Sequence, residues 1–278
     1  GVGKTVVMKQ LLNARPNSLY ISLDMVRPGK DLFTTAQEAT EQGVKILLLD
    51  EVHYYAGFAL ELKKIYDLLR IQVVCTSSSA IELHDSAFDL SRRLRVVTVP
   101  PFLFREFLLF EKGLETPALS LEDLYSEDIS RERYGQLIHE EPLFTQYLQG
   151  RNYPFTLETS DWMGMFSAML DTIIHKDLVL TGRVTPEEAL HLRRMCEFIG
   201  KSPSEGISYS SCAANFGFSS YRAQKYTEIL EKAFILTRLF PKGTSVTREP
   251  KIQMALPYRL VFKPYDDCIG SLREDFFV

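Results

Sequence analysis

Apolar and polar positions change period several times along the first hundred residues. Lys4 to Leu12 carries its apolar residues at helical spacing, and Asn13 to Asn17, with Pro16, ends that helix. Ser18 to Leu23 reads as a strand closed by Asp24, and the loop to Gly29 leads to a helix over Leu32 to Gln42, stopped by Gly43. Ile46 to Leu49 is an unbroken apolar run, the mark of a strand buried on both faces of a parallel sheet. Ala59, Leu60, Leu62, Ile65, Tyr66 and Leu69 return to helical spacing, Ile71 to Cys75 is the next buried strand, and Arg95 to Val99 a further one. Strands alternating with helices predict an α/β fold with a right-handed, mostly parallel, three-layer sheet.

After Val99 the pattern is almost wholly helical. Phe104 to Phe110 predicts a short amphipathic helix leaving the core, and Gly113 to Gly150 is acidic, broken by Pro117 and Pro142, with a helical piece at Tyr134 to His139. Trp162, Met163, Met165, Phe166, Met169, Leu170, Ile173 and Ile174 form one stripe, read as the core of a helical region rather than a cofactor box, with His175 at its surface end. From Thr185 a new unit opens, with Pro186, Glu187 and Glu188 in the first turn of a helix. Its helices run over Leu190 to Ile199, Ser208 to Phe216 and, capped by Ser219, Tyr221 to Phe234, whose apolar side is Tyr226, Ile229, Leu230, Ala233 and Phe234. A hairpin follows, Ile235 to Phe240 and Lys251 to Leu256, turning at Pro241 to Gly243. Three helices and a hairpin predict a winged helix. The expected division is a core over 1–112, a lid over 113–184, a winged helix over 185–262 and the start of another domain over 263–278.

The chemistry sits at the two ends of this first sheet pattern. GVGKT, Gly1 to Thr5, ends in the last three letters of GxxxxGK[ST], the loop in which glycines let backbone N–H groups crowd around phosphate at a helix N-terminus. Gly1, Val2, Gly3, Lys4, Thr5 and Val6 are therefore the expected nucleotide contacts. Gly1 stands inside the motif, so the sequence is expected to be a piece of a longer chain. The run Ile46 to Leu49 delivers Asp50 and Glu51 at the C-terminal edge of its strand, where α/β sheets bind ligands. Asp50, with the Thr5 hydroxyl, is placed to hold Mg2+, and Glu51 to orient and deprotonate an attacking water. Thr76, Ser77, Ser78 and Ser79 end the neighbouring strand, which makes Ser78 a candidate sensor of the γ-phosphate or of that water. A serine-rich turn capping the next helix is the plainer alternative. Arg92 and Arg93 are candidates for stabilising transferred-phosphate charge in a neighbouring subunit, a role assigned to Arg93, and equally for solvated surface charges.

Composition narrows the class without changing it. The chain has 278 residues, 45% hydrophobic and 24% charged, with no apolar run near the roughly 18 residues of a membrane helix. A site that needs ATP makes cytoplasm the default. Four cysteines without a CxxC pair, and five histidines without ligand spacing, indicate neither a disulfide framework nor a zinc site. The net charge of −4 argues against a protein that coats nucleic acid. Charge is nevertheless uneven, since Glu111 to Glu141 holds nine acids and three bases and Ser219 to Lys263 nine bases and three acids. Any nucleic-acid surface is thus expected in the C-terminal third, with Tyr221, Arg222 and Lys225 in a major groove and Lys242 of the wing on phosphate. Winged helices also serve as protein contacts, and both readings stay open here.

DLSRRL, Asp89 to Leu94, and PPFLFREFL, Pro100 to Leu108, following GVGKT and LLLDEVH, resemble prokaryotic AAA-type ATPases that read LSRR or LAGR and then LSFREFL. PKIQMALPYRL, Pro250 to Leu260, and IGSLREDFFV, Ile269 to Val278, are similar to the C-terminal part of that family. The resemblance implies an AAA+ core, a helical lid, a winged helix and a nuclease-like domain of unsettled function. Two departures count: Ser77 replaces the glycine of TGSS, and Leu256 stands where many members carry an acid, so nuclease activity is not supported. The combined reading is an ATP- and Mg2+-dependent ATPase switch, binding ATP or ADP and coupled to a module for duplex DNA or protein, with homo-oligomers a possibility and no membrane partner. The alternative is a slow or non-hydrolysing regulatory protein that works by assembly. A helicase, suggested by DEVH, has no room for a second motor domain.

Overall fold

The computed structural model describes residues 1–25, 29–78, 90, 93–116, 120–125, 135, 140–159, 161–203, 205–243 and 249–277. Ser79, Arg92 and, apart from Gly135, the helix expected over 134–139 lie outside them. Packing divides the chain into two units, Gly3–Val99 and Pro100–Val278.

The first unit is built on three parallel strands, β1 (Ser18–Ser22), β2 (Ile46–Asp50) and β3 (Gln72–Cys75), with β2 in the middle. Ser22 lies opposite Asp50, and Leu49 opposite Cys75, so the three strands end together. The centre of β2 is buried on both sides because its side chains alternate between two covered faces. Leu47 and Leu49 join α2 (Leu32–Glu41) and α3 (Phe58–Leu68) in a cluster with Leu32, Ala36, Phe58, Leu62 and Ile65. Leu48 points the other way and is also buried, and α1 (Lys4–Ala14) packs on β1 and β2 and buries Met8. Asp31 caps α2 through the Thr34 N–H, while buried Glu61 reaches across from α3 to accept from the Phe33 N–H.

The helix expected around residues 59–69 forms, while the strand expected at the far end of the pattern, residues 95–99, does not form among the described residues. Leu60 and Tyr66 are 59% and 57% exposed, because the face of α3 that meets the sheet is set by Phe58, Leu62 and Ile65, one and two turns apart. Arg95–Val99 forms no strand with any described residue, and Val97 is 70% exposed. Alternation alone could not supply the neighbour that a strand requires.

The second unit is mainly helical. In α4 (Phe104–Lys112), Phe107 and Leu108 pack with Leu143 of α5 (Glu141–Gln146), Tyr147 and Leu148. Phe166 and Leu170 of α6 (Trp162–Thr172), and Ile174 beyond it, are fully buried at i, i+4 and i+8, while Met165 of the expected stripe is exposed. Next come α7 (Pro186–Lys201), α8 (Tyr209–Phe216) and α9 (Ser220–Lys232), capped by Thr185, Ser208 and Ser219. Strands β4 (Leu236–Leu239) and β5 (Lys251–Met254) pair antiparallel, and the Ile252 N–H also reaches the Ile207 carbonyl. The three-helix and hairpin pattern of a winged helix is thus formed. Phe234, expected on the buried side of α9, lies past its end with φ +58° and is 51% exposed. Residues 263–277 pack into this same unit: in α10 (Ile269–Phe276), Leu272 is fully buried and Phe276 meets Phe144 edge-on at 5.1 Å. Among the described residues no helix is long and apolar enough to cross a membrane.

The four cysteines are unpaired. Burial pushes the thiols of Cys75 and Cys212 up to about 11 and that of Cys196 to about 12, which makes them inert small hydrophobes at neutral pH.

Candidate functional site

Gly3 begins the site. Its left-handed backbone, φ 90° and ψ 9°, disfavours any residue with a Cβ, and it lets the chain enter α1 with no side chain capping the helix. The first helical hydrogen bond, from the Val7 N–H to the Gly3 carbonyl, is 3.0 Å. The N–H groups of the first turn are therefore open to an anion at the positive end of the helix dipole. Val6 is 57% exposed beside them, and Gly1 is exposed.

Asp50 is 1% exposed at the end of β2 and is surrounded by hydroxyl donors. Tyr20 of β1 donates to Oδ2 at 2.8 Å, Thr76 beyond β3 to Oδ1, and Thr5 of α1 also reaches the carboxylate. Burial alone would raise the Asp50 carboxyl, but the hydroxyls of Thr76, Tyr20 and Thr5, and then the Lys4 charge, hold it below its ordinary value. An ionised carboxylate beside a hydroxyl is a hard-oxygen donor pair. It suits Mg2+, which keeps several waters and takes few protein ligands when phosphate supplies the rest. The residues thus fit a nucleotide with its magnesium: Lys4 and the first-turn N–H groups for phosphate, Thr5 and Asp50 for the ion.

Glu51 leaves β2 in the left-handed region, φ 54° and ψ 51°, which is uncommon for a residue with a side chain. Its N–H donates to the Thr76 hydroxyl at 3.1 Å. Its carboxylate oxygen Oε2 accepts from both the backbone N–H and the hydroxyl of Ser78, each at 2.9 Å. His53 Nδ1 stands 3.2 Å from the same oxygen.

The ends of β2 and β3 thus bring Glu51 and Ser78 together, and α1 brings Thr5 to Asp50. Arg93 makes its contacts elsewhere in the unit: its guanidinium donates to both carboxylate oxygens of Asp67, at 2.8 and 3.1 Å, and lies over Tyr66. Tyr20, Thr76 and His53 were not singled out as site residues from the sequence. Thr76 and His53 adjoin recognised motifs, which is a usable signal; Tyr20 gave none, because only the β1–β2 register carries it to Asp50.

On the winged-helix pattern, Tyr221 is 78% exposed at the start of α9, and Lys242 is exposed at the hairpin turn. Arg222 and Lys225 are partly engaged. Glu188 Oε1 lies 4.0 Å from Arg222 Nη2 and 3.9 Å from Lys225 Nζ, and it also accepts from the Tyr226 hydroxyl. The Glu188 carboxyl is held below its ordinary value first by the Thr185 N–H and then, against burial, by Lys225, Tyr226 and Arg222. Lys232, Arg238, Lys251 and Arg259 of the basic stretch each also meet a carboxylate.

Residues 1–108 match the family model described as AAA domain. An AAA-type domain is supported over those residues. Residues 152–255 match a second model, described as Domain of unknown function (DUF8612). An uncharacterized protein of Methanocaldococcus jannaschii is 28% identical over 308 residues, an alignment covering 99% of this chain. The chain spans 64% of the length of that relative. Among solved structures, the Aeropyrum pernix ORC1 protein in complex with DNA is similar over 99% of this chain and 84% of its own, at 13% identity and a TM-score of 0.34. A likeness that slight carries no argument about this chain.

Proposed function

We propose that this AAA-type chain is a Mg2+-dependent ATPase that acts as a nucleotide-driven switch coupled to its winged-helix module. The observation that carries the reading is that Thr5 and Lys4, at the uncapped start of α1, act on Asp50, which is buried yet kept ionised and is followed directly by Glu51. When bound, the nucleotide with its ion supplies the phosphoanhydride and the charge that activates it. Lys4 and the first-turn N–H groups hold phosphate oxygens, Thr5 and Asp50 hold the ion, and Glu51 takes a proton from the attacking water. Ser78, which fixes the Glu51 carboxylate, fits a sensor that links nucleotide state to that base. A trans role for Arg93 requires release of its fork from Asp67. Lys4 provides the direct test, because its ammonium is the mobile positive charge of the loop. Lys4→Ala should abolish ATP binding measured by calorimetry; unchanged affinity means the nucleotide lies elsewhere.

For the winged-helix module the reading is duplex DNA, supported by Tyr221, exposed at the start of α9 next to Arg222, and by Lys242, exposed at the hairpin turn. A second reading, contact with protein, is favoured by Glu188, which already meets Arg222 and Lys225. Salt dependence separates them. Replacing both Arg222 and Lys225 with alanine should weaken duplex binding and flatten the log–log salt slope by about two units, if each neutralises one phosphate. A parent chain that gives no salt-dependent shift of labelled duplex at low ionic strength has a protein-contact module instead.

A further inference from the structure

Asp50 and Glu51 account for two letters of the DEVH stretch, and His53 is left without a role. Its placement is specific. The chain turns through Val52–Tyr54 immediately after β2, and the Val52 N–H donates to the Thr76 carbonyl at 2.9 Å, fastening the turn to the end of β3. Val52 is fully buried, so this anchor is also a packed one. The fastening carries the His53 imidazole, with its side chain 12% exposed, under the two serines that follow β3. Nδ1 lies 3.2 Å from Glu51 Oε2 and 3.2 Å from Ser77 Oγ, and Nε2 lies 3.5 Å from Ser78 Oγ. The Tyr54 ring, 4.4 Å away between centroids, closes against the imidazole.

Donor counting shows what this achieves. The Ser78 hydroxyl proton is committed to Glu51, and so is the Ser78 N–H. A proton on Nδ1 of His53 makes a third donor to the same carboxylate oxygen, whereas a bare Nδ1 would set a lone pair against it. Among the described residues these polar contacts of the carboxylate all fall on Oε2. Three donors on that oxygen would oppose rotation of the carboxylate, and the other oxygen takes none of these contacts. The left-handed backbone of Glu51 agrees with this, since such a conformation persists where its surroundings over-determine it. We infer that His53 is a positioning residue for Glu51: its Nδ1–H fixes Oε2 beside the Ser78 donors and so aims the second oxygen at the attacking water. This rests on the reading of Glu51 as the general base.

Two measurements test it, one without nucleotide. Long-range proton–nitrogen correlation spectra of the nitrogen-labelled chain at neutral pH report which ring nitrogens of each histidine are protonated. His53, assigned by its loss in His53→Asn, is expected to carry a proton on Nδ1; a bare Nδ1 overturns the inference whether or not the protein hydrolyses ATP. The second is steady-state turnover with ATP and Mg2+. His53→Ala should lower kcat by about tenfold to a hundredfold with KM for ATP unchanged, as for a base that is present but misaimed. His53→Asn, whose amide donor falls near the position of Nδ1, should recover most of that loss. Parental kcat in His53→Ala, a loss confined to KM, or equal losses in the alanine and asparagine variants each overturn it. Parental turnover in Glu51→Gln would instead sink the general-base reading, and the nitrogen spectra would still decide whether His53 holds Glu51.

Discussion

Glu51→Gln should keep nucleotide and Mg2+ bound and lose hydrolysis by about a hundredfold to ten-thousandfold, the usual contribution of a positioned base. The replacement is nearly isosteric, and an amide oxygen can still accept from the Ser78 N–H and hydroxyl that now meet the carboxylate. What it removes is the capacity to take a proton from water. Asp50→Asn should differ by weakening Mg2+ as well. It replaces the carboxylate with a neutral amide whose NH2 cannot accept, so that only one of Tyr20 and Thr76 keeps an acceptor and neither keeps an anionic one. Turnover and nucleotide affinity measured on the same preparations separate the two acids. Hydrolysis at the parental rate in Glu51→Gln would remove Glu51 from the chemistry.

Arg259→Ala should destabilise the second unit by about 3–5 kcal/mol, the cost of leaving one member of a buried ion pair without its partner. Arg259 and Asp275 have no exposed side-chain surface, and the guanidinium donates to both carboxylate oxygens, at 2.6 and 3.1 Å. Its remaining nitrogen donates to the carbonyls of Ile199, Gly200 and Ser202, which close the C-terminal end of α7, where helix carbonyls lack internal partners. One side chain thus ties α7, the turn Tyr258–Val261 and α10 together. Burial raises the Asp275 carboxyl while the Arg259 fork opposes it, so the charge that Arg259→Ala strands is one the interior disfavours. Gly200 makes the approach possible, since a Cβ there would lie 2.4 Å from the Phe262 ring. Chemical denaturation should show the loss in Arg259→Ala and a smaller one when Asp275 is replaced together with it by apolar residues of similar volume. A loss below about 1 kcal/mol in Arg259→Ala would mean that the pair does not hold these elements.

Local pattern was a good guide wherever one residue type could satisfy only one structure. The apolar run of β2 needed covering on both faces, and it is covered. Thr185, Ser208 and Ser219 fell where helix starts need side-chain acceptors, and each accepts one. Pattern misled where a neighbour decides. Leu60 and Tyr66 share the helical period of α3 but not the face that the sheet touches, and Phe234 continues the period of α9 past the point where the helix has ended. The basic excess between Ser219 and Lys263 was plain in the sequence, yet besides Glu228 and Glu231 within it, the acidic partners Glu188, Glu274 and Asp275 lie outside that stretch. Counting charges along the chain cannot find a carboxylate delivered by another helix.

What the sequence by itself determined is the set of groups that are local by nature: a glycine, a lysine and a threonine at a helix start, two acids at the end of a buried strand, and a hydroxyl cluster ending the next one. Their residue types and spacing are those of the proposed phosphate and hard-cation site. Only the tertiary structure decided how those groups act on one another. The parallel register sets Ser22 beside Asp50 and Leu49 beside Cys75, and this common end of the strands carries Tyr20 and Thr76 to Asp50 and Ser78 and His53 to Glu51. Those contacts span about 25 to 30 residues of sequence, apart from His53. They depend on loop closure and strand pairing, which no local periodicity encodes.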